Sequence, residues 1–407
     1  MSNDKKLILN SLEETKKIAS EIAHKINLIS KNTAKIIFLK GDLGTGKTTL
    51  VKEILKVYGL SESVTSPTFT IVEPYLIGKD PSLIEHHYQW LYRSSHFMGS
   101  VVQGALSAID IALWDIKGKR FDVPIYELLA GKTRDKVRCY MHVGMYNEES
   151  KSELGTTDAL VEDAKEAVNR GFTAVRFAPY NEKFYLHKSF TEWANEAVNN
   201  VGAVKEAVGD SVDICVEIHR QMSPTEGISL GKRLEQFSPY FYEDPMLPDS
   251  PNIMAEIQQN CNIPIATGER FTSIFEFQQL LEAKATSFIR PDLCLAAGIS
   301  GCKKISAMAE ANHIKVIPHN PLSPVSTAAC VQLDASIPNF ALQEYTGEDK
   351  PPKKDLIENP IKLENGYLVV PEGPGLGITL NEKSLSLGEN PKVLDTPIGY
   401  DGSVQDR

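Results

Sequence analysis

The sequence predicts an α/β fold, a (β/α)8 barrel of the TIM type, on three observations. Glu217, His219, Glu243, Glu269, Asp292, His319 and Glu344 form a ladder whose rungs close short apolar runs. From Glu217 the intervals along Glu243, Glu269, Asp292, His319 and Glu344 are 26, 26, 23, 27 and 25 residues. Parallel strands joined by crossover helices need roughly 20 to 30 residues per repeat, and a barrel gathers all strand ends on one rim. Eight strand-like runs alternate with helical ones between Val137 and Glu344. A doubly wound sheet would not ordinarily place polar ends on so many successive strands.

In chain order, residues 11–29 carry Leu12, Ile18, Ile22 and Ile26 at helical spacing. KIIFLKGDLGTGKTTLVKEIL then reads as strand, glycine loop and helix, followed by VTSPTFTIVEPY. A long helical stretch runs from Gly78 to Phe121, broken near Gly99. Its second half is expected to bury one face carrying Ala105, Ala108, Ile109, Ala112, Leu113 and Ile116. The barrel strands are expected at VRCYMHV, TAVRFA, VDICVEIH, PYFYED, IPIATGE, ATSFIRPD, IKVIPH and NFALQE. TDALVEDAKEAVNRG, FTEWANEAVNNVGAVKEAV, TEGISLGKRLEQF, IFEFQQLLEAK and GISGCKKISAMAEAN supply helices between them. KLENGYLVVPEGPGLGITL predicts a hairpin packed outside the barrel.

A chain of 407 residues, 42% hydrophobic and 24% charged, is globular and long enough for one large domain with smaller ones. The net charge of −10 and pI near 5.5 argue against a general nucleic-acid or anionic-membrane binder. Cys139, Cys215, Cys261, Cys294, Cys302 and Cys330 form no CxxC pair and read as reduced thiols. MSNDKKLILN is no signal peptide and no run of about 18 apolar residues occurs, so the chain reads as cytoplasmic.

Glu217, Glu243 and Glu269 end the third, fourth and fifth predicted strands. Three carboxylates converging without neutralising Lys or Arg repel one another, an arrangement suited to a hard cation such as Mg²⁺. The plainer alternative is that they cap helices or pair with Arg270 or Arg290. His219, two residues beyond Glu217, would face the same way on a strand and stand beside the metal. Asp292 and His319 end the sixth and seventh strands, where an Asp–His dyad would fix the imidazole tautomer and raise its basicity. Two such imidazoles beside a carboxylate cluster point to acid–base catalysis. Glu344 is placed to give or take a hydrogen bond at a developing oxyanion, or to be an ordinary rim carboxylate. His24, His86, His87, His96, His142, His187 and His313 lack metal-ligand spacing and read as surface or core residues.

EIHRQMSP, YFYEDP, ATGERF, RPDLCLAAGIS, VIPHNPLSP and LQEY, with ALSAIDIALWDIKGK upstream, resemble the enolase superfamily. Within its mandelate racemase group the chain is most similar to acid-sugar dehydratases of the galactonate dehydratase type, from about residue 73 to the end. The resemblance implies Mg²⁺ on Glu217, Glu243 and Glu269, removal of an α-proton by His219, and protonation of a departing 3-hydroxyl by His319 held by Asp292. Glu344 would stabilise the intermediate, and the product would be a 2-keto-3-deoxy acid. Arg176, Arg270 and His319 would contact the substrate. The second strand lacks the KxK base of other branches, which disfavours racemase and cycloisomerase chemistry. Arg176 and Tyr180 leave room for an Arg/Tyr-assisted mannonate or galactarate arrangement. A symmetric homo-oligomer is also implied.

GDLGTGKTT matches the Walker A pattern: Gly41, Gly44 and Gly46 shape the loop, Lys47 meets phosphates, Thr48 meets Mg²⁺, and Thr49 follows. The bland alternative is a chance match in a loop. With VTSPTFTIVEPY, the segment 5–75 resembles the front half of the TsaE-type ATPases of tRNA threonylcarbamoyladenosine synthesis, without the later strand bearing the acidic Mg²⁺ partner. ATP is the expected ligand there. The organisation expected is a truncated P-loop segment (1–75), a partial α+β capping domain (76–130), the barrel (131–346), and a C-terminal hairpin and tail returning to the cap (347–407). An ATP-binding component of tRNA modification, or a catalytically impaired fusion of the two halves, is the alternative to a dehydratase.

Overall fold

A computed structural model of the chain describes residues 11–28, 47–57, 75–96, 99–144, 156–180, 188–385, 398–399 and 401–404. The chain divides into two compact units, Met1–Lys79 and Asp80–Arg407. In the first, helices α1 (Leu12–Leu28) and α2 (Lys47–Val57) pack through buried Ala19, Ala23 and Ile54. The expected strand and glycine loop, with Gly41, Gly44 and Gly46, lie outside the described residues. Lys47, Thr48 and Thr49 form the first turn of α2.

The second unit opens with α3 (Ile84–Ser94), α4 (Ser100–Phe121) and the short α5 (Ile125–Leu128). The face of α4 that is buried differs from the one expected. Gln103, Leu106, Ser107, Asp110 and Leu113 are buried, whereas Ala108, Ala112 and Ile116 are exposed. Polar groups point inward because they have partners. Asp110 Oδ2 accepts the Ser300 backbone N–H at 3.0 Å, and Trp114 Nε1 donates to Ser300 Oγ at 2.9 Å, so α4 caps a barrel helix.

The barrel strands are β1 (Lys136–His142), β2 (Ala174–Phe177), β3 (Asp213–Glu217), β4 (Phe241–Glu243), β5 (Ile265–Thr267), β6 (Phe288–Ile289), β7 (Lys315–Val316) and β8 (Gln343–Tyr345). Each falls within or overlaps its expected run. β1 to β7 pair in sequence and in parallel, and β8 pairs with β1. A parallel bridge from Val316 to Phe340 joins β7 to the segment entering β8, which completes the ring. Tyr140, Ala174, Cys215, Phe241, Ala266, Phe288, Ile317 and Leu342, one from each strand or its immediate extension, form a separate buried cluster inside it. Their neighbours along the pleat turn outward to the helices and join the larger core.

Those helices are α6 (Thr157–Asn169), α7 (Phe190–Val208), α8 (Pro224–Leu234), α9 (Pro251–Asn260), α10 (Ile274–Glu282), α11 (Gly298–Ala311) and α12 (Pro324–Ser336). Capping boxes of Ser189 with Glu192 and Ser223 with Glu226 start α7 and α8. α9 and α12 occupy places where the alternation requires helices but no helical run was singled out. All but one residue of α12 is buried, so it shows no amphipathic period to detect.

The tail forms the expected hairpin, β9 (Leu363–Glu364) and β10 (Tyr367–Val369), turned by Asn365 (φ 49°) and Gly366 (φ 75°). β10 also pairs antiparallel with the start of β1, so the hairpin extends that strand's pairing. Among the described residues all six cysteines are free, and no helix is long and apolar enough to cross a membrane.

Candidate active site

Strand register brings the acidic ladder together. Glu217 and Glu243 are paired residues of β3 and β4, and Glu243 pairs with Ala266 of β5. Gly268 (φ 127°) turns the chain after β5 and delivers Glu269. Ligand atoms of Glu217, Glu243 and Glu269 lie within 4.8 Å of one another, the one such cluster found among the described residues.

The expectation that these carboxylates lack basic neighbours is overturned. Arg176 of β2 lies against Glu217 Oε2 and places Nε 2.6 Å from Glu243 Oε2. Arg290, fully buried, places Nε 2.5 Å from Glu243 Oε1 and Nη2 3.0 Å from Glu344 Oε2. Arg220 contacts Glu269 and lies 3.2 Å from Asp244. Carboxylates this close and this dry need counter-charge, and guanidinium forks supply part of it. Arg290 is therefore a site residue, as the plainer alternative allowed. Arg220 escaped notice although it adjoins His219. Arg270 is exposed.

His219 reaches the cluster by a route other than strand alternation. β3 ends at Glu217, and His219 (φ 54°) and Arg220 (φ 68°) both adopt the left-handed conformation. The His219 backbone N–H donates to Glu217 Oε1 at 2.9 Å, and its Nε2 lies 3.7 Å from Glu217 Oε2. A local turn, folded onto the Glu217 carboxylate, aims this imidazole.

The Asp–His dyad is formed by backbone register. Asp292 and His319 are joined by a parallel bridge, which sets His319 Nδ1 2.9 Å from Asp292 Oδ2 and leaves Nε2 3.3 Å from Glu269 Oε2. Burial disfavours the imidazolium, but Glu269 and Asp292 outweigh it and raise His319 to about 9. Burial likewise opposes ionisation of Glu269, yet His319 and Arg220 hold it below the usual carboxylate range. Asp244 is pushed up by burial and by Glu269 and Glu243.

Glu344 is occupied on both oxygens. Oε1 accepts from His142 Nε2 at 2.6 Å, and Oε2 accepts from Arg290 and from the Asn320 backbone N–H at 2.7 Å. Against the cost of burial, Arg290 and His142 hold it well below the usual carboxylate range. His142, expected to be a bland surface or core residue, belongs to this site. Tyr180 hydroxyl donates to Ile218 O at 2.8 Å and lies 2.9 Å from Gln221 Oε1, bracing the turn after β3.

The donor set fits a hard divalent cation. Six carboxylates (Glu217, Glu243, Asp244, Glu269, Asp292 and Glu344) stand against three guanidiniums (Arg176, Arg220 and Arg290) and the raised imidazole of His319, and with Asp244 pushed toward its neutral form a small excess of negative charge remains. Glu217 Oε2 and Glu243 Oε1 are buried without a partner in hydrogen-bond geometry. All-oxygen ligands from three carboxylates suit Mg²⁺.

Other proteins share this architecture and, at lower coverage, the N-terminal segment. Residues 9–101 match the family of threonylcarbamoyl adenosine biosynthesis protein TsaE, a match running past the expected junction near residue 75. The chain is 35% identical over 323 residues to a D-galactonate dehydratase of Verminephrobacter eiseniae, covering 76% of this chain and 80% of that protein. It is 36% identical over 315 residues to a D-gluconate dehydratase of Thermoproteus tenax, covering 76% of this chain and 61% of that longer protein. A solved enolase structure from Agrobacterium radiobacter, with bound Na and L-malate, superposes with a TM-score of 0.76 at 29% identity, covering 84% of this chain and 89% of that one. Residues 159–384, which hold every rung of the ladder, match the family described as Enolase C-terminal domain-like. The closed barrel, its carboxylate triad and this match agree: the chain belongs to the enolase superfamily.

Proposed function

We propose that the protein is a hydro-lyase that dehydrates a sugar acid of the galactonate or gluconate class to a 2-keto-3-deoxy acid. The observation that carries this reading is the Glu217–Glu243–Glu269 triad flanked by imidazoles from both sides, His219 after β3 and His319 after β7. The third and seventh strands of an eight-stranded barrel are opposite one another, so a substrate above the triad has one imidazole on each side. The names of the two dehydratase relatives support the substrate class.

Mg²⁺ held by Glu217, Glu243 and Glu269 would supply a Lewis acid for a substrate carboxylate. His219 Nε2 takes the α-proton from one side. His319, its Nδ1–H held by Asp292, delivers a proton from Nε2 to the leaving 3-hydroxyl, which departs as water. Arg176 and Arg290 keep the triad and Glu344 in place.

The test is a panel of aldonic and aldaric acids incubated with Mg²⁺-loaded protein and assayed for 2-keto-3-deoxy products. Absence of product from every acid, with Mg²⁺ bound, overturns the reading. Exchange of the α-proton in D₂O separates the two imidazoles. His319→Asn should retain exchange and His219→Asn should lose it, and the opposite pattern would reverse their roles.

A second reading applies to the N-terminal segment alone. The Walker A pattern and the match over residues 9–101 support nucleotide binding through Lys47 and Thr48. Calorimetric titration with ATP tests it, and equal heat for wild type and Lys47→Ala removes it.

A further inference from the structure

We propose that His142 is a positioning residue that holds Glu344 and Arg176 in their places at the barrel mouth. The inference rests on the dehydratase reading only for its kinetic consequence.

β1 is the strand between β8 and β2, and the register makes its last residue a link between them. Tyr140 pairs with Glu344, and His142 with Arg176. The His142 side chain is 5% exposed, so both ring nitrogens must be satisfied by protein groups or trapped water. Nε2 lies 2.6 Å from Glu344 Oε1, and Arg176 Nη1 lies 3.1 Å from Nδ1 and 3.4 Å from Nε2, so the short carboxylate contact decides the tautomer. Arginine only donates and an ionised carboxylate only accepts, so this geometry selects the neutral ring with its proton on Nε2. Burial and the nearby Arg176 charge disfavour a second proton and pull His142 down to about 4, against the pull of Glu344.

The consequence reaches the metal ligands through Arg176. The same guanidinium that donates to His142 presses on Glu217 and Glu243. Without the ring nitrogen to hold one Nη, nothing fixes how the guanidinium shares itself between those carboxylates and a cation. Glu344 would keep Arg290 and Asn320 but lose its partner on Oε1. An apolar ring here should disturb both metal binding and catalysis. A glutamine, whose amide both donates and accepts, should replace the imidazole.

The test uses the full chain with His142→Phe and His142→Gln. Loss of a group that orients metal-site residues typically costs 10- to 100-fold in metal affinity or activity. We therefore expect His142→Phe to weaken Mg²⁺ binding by about tenfold by calorimetry and to lower kcat by about 10²-fold with KM nearly unchanged. His142→Gln should recover most of both. Equal behaviour of the two variants, or a Phe variant with native Mg²⁺ affinity and kcat, overturns the proposal. Nitrogen NMR on the wild type provides a check that needs no variant to fold: the proton must sit on Nε2, and a proton on Nδ1 contradicts the geometry. If the wild type dehydrates no sugar acid, the dehydratase reading fails, while the Mg²⁺ affinities and the tautomer still decide on His142.

Discussion

The two halves of this chain carry their chemistry in opposite ways. In the first unit the chemical signal is contiguous: GDLGTGKTT spans nine adjacent residues, and its last three open a helix. In the second unit no two members of the carboxylate triad are closer than 26 residues, and only the closure of a parallel ring brings them within 4.8 Å. A contiguous motif announces a ligand class from sequence but leaves its geometry open. A dispersed ladder says little until the fold is known, after which register dictates the site.

The largest effect that would break this contrast is in the triad. Glu243 is fully buried between Arg176 and Arg290, so Glu243→Gln should abolish Mg²⁺ binding by calorimetry and eliminate dehydration. Removing one partner of a buried ion pair also costs about 3–5 kcal/mol, which denaturant titration should show. Retained metal binding would mean that the triad is not the cation site. Next in size is the dyad. His319→Asn should lower kcat by about 10²- to 10⁴-fold, the usual contribution of a positioned acid or base, while Mg²⁺ still binds.

A smaller effect comes from pH. The folded-state value for His142, about 4, lies below the ordinary 6.5, so the folded chain binds this proton less readily than the unfolded one. Its contribution to stability is fully present above about 6.5 and is lost as pH falls toward 4. Arg176, Glu344, Glu243 and Tyr140 are charged or titratable groups acting on or touching the ring. Melting of wild type and His142→Phe between pH 4 and 7 should converge at the acid end, and parallel curves would contradict the assignment. The smallest effect should come from the other half. Lys47→Ala should leave kcat and KM for dehydration unchanged within about twofold, because Lys47 belongs to the first compact unit and the ladder to the second. A large loss of dehydration would instead couple the two units.

Much of the second unit was legible because local and global signals agree. All eight strands lie at their expected runs, since each is a short apolar segment bounded by helix-start signals such as Ser189 with Glu192. The convergence of Glu217, Glu243 and Glu269 and the contact of Asp292 with His319 were readable from spacing. The arginines were read only in part: Arg176 was expected as a substrate contact and Arg290 as an alternative partner of the glutamates, but Arg220 was not named. Arg176, Arg220 and Arg290 stand on or just beyond β2, β3 and β6, and nothing in the spacing says that long side chains fold inward upon carboxylates. His142 was hidden for the same reason, because its role depends on the neighbours of β1 across the ring. The buried face of α4 was misjudged because partners for Asp110 and Trp114 come from α11, which is remote in sequence. Hydrophobicity alone favoured the Ala108–Ala112–Ile116 stripe, which is exposed.

The central claim is that the ladder makes a metal-dependent elimination site. The most direct measurement is product formation from D-galactonate and D-gluconate by wild type and Glu243→Gln, each with Mg²⁺ and after chelation. A 2-keto-3-deoxy acid formed only by wild type with Mg²⁺ is the predicted result. Equal turnover after chelation, or by Glu243→Gln, would contradict it.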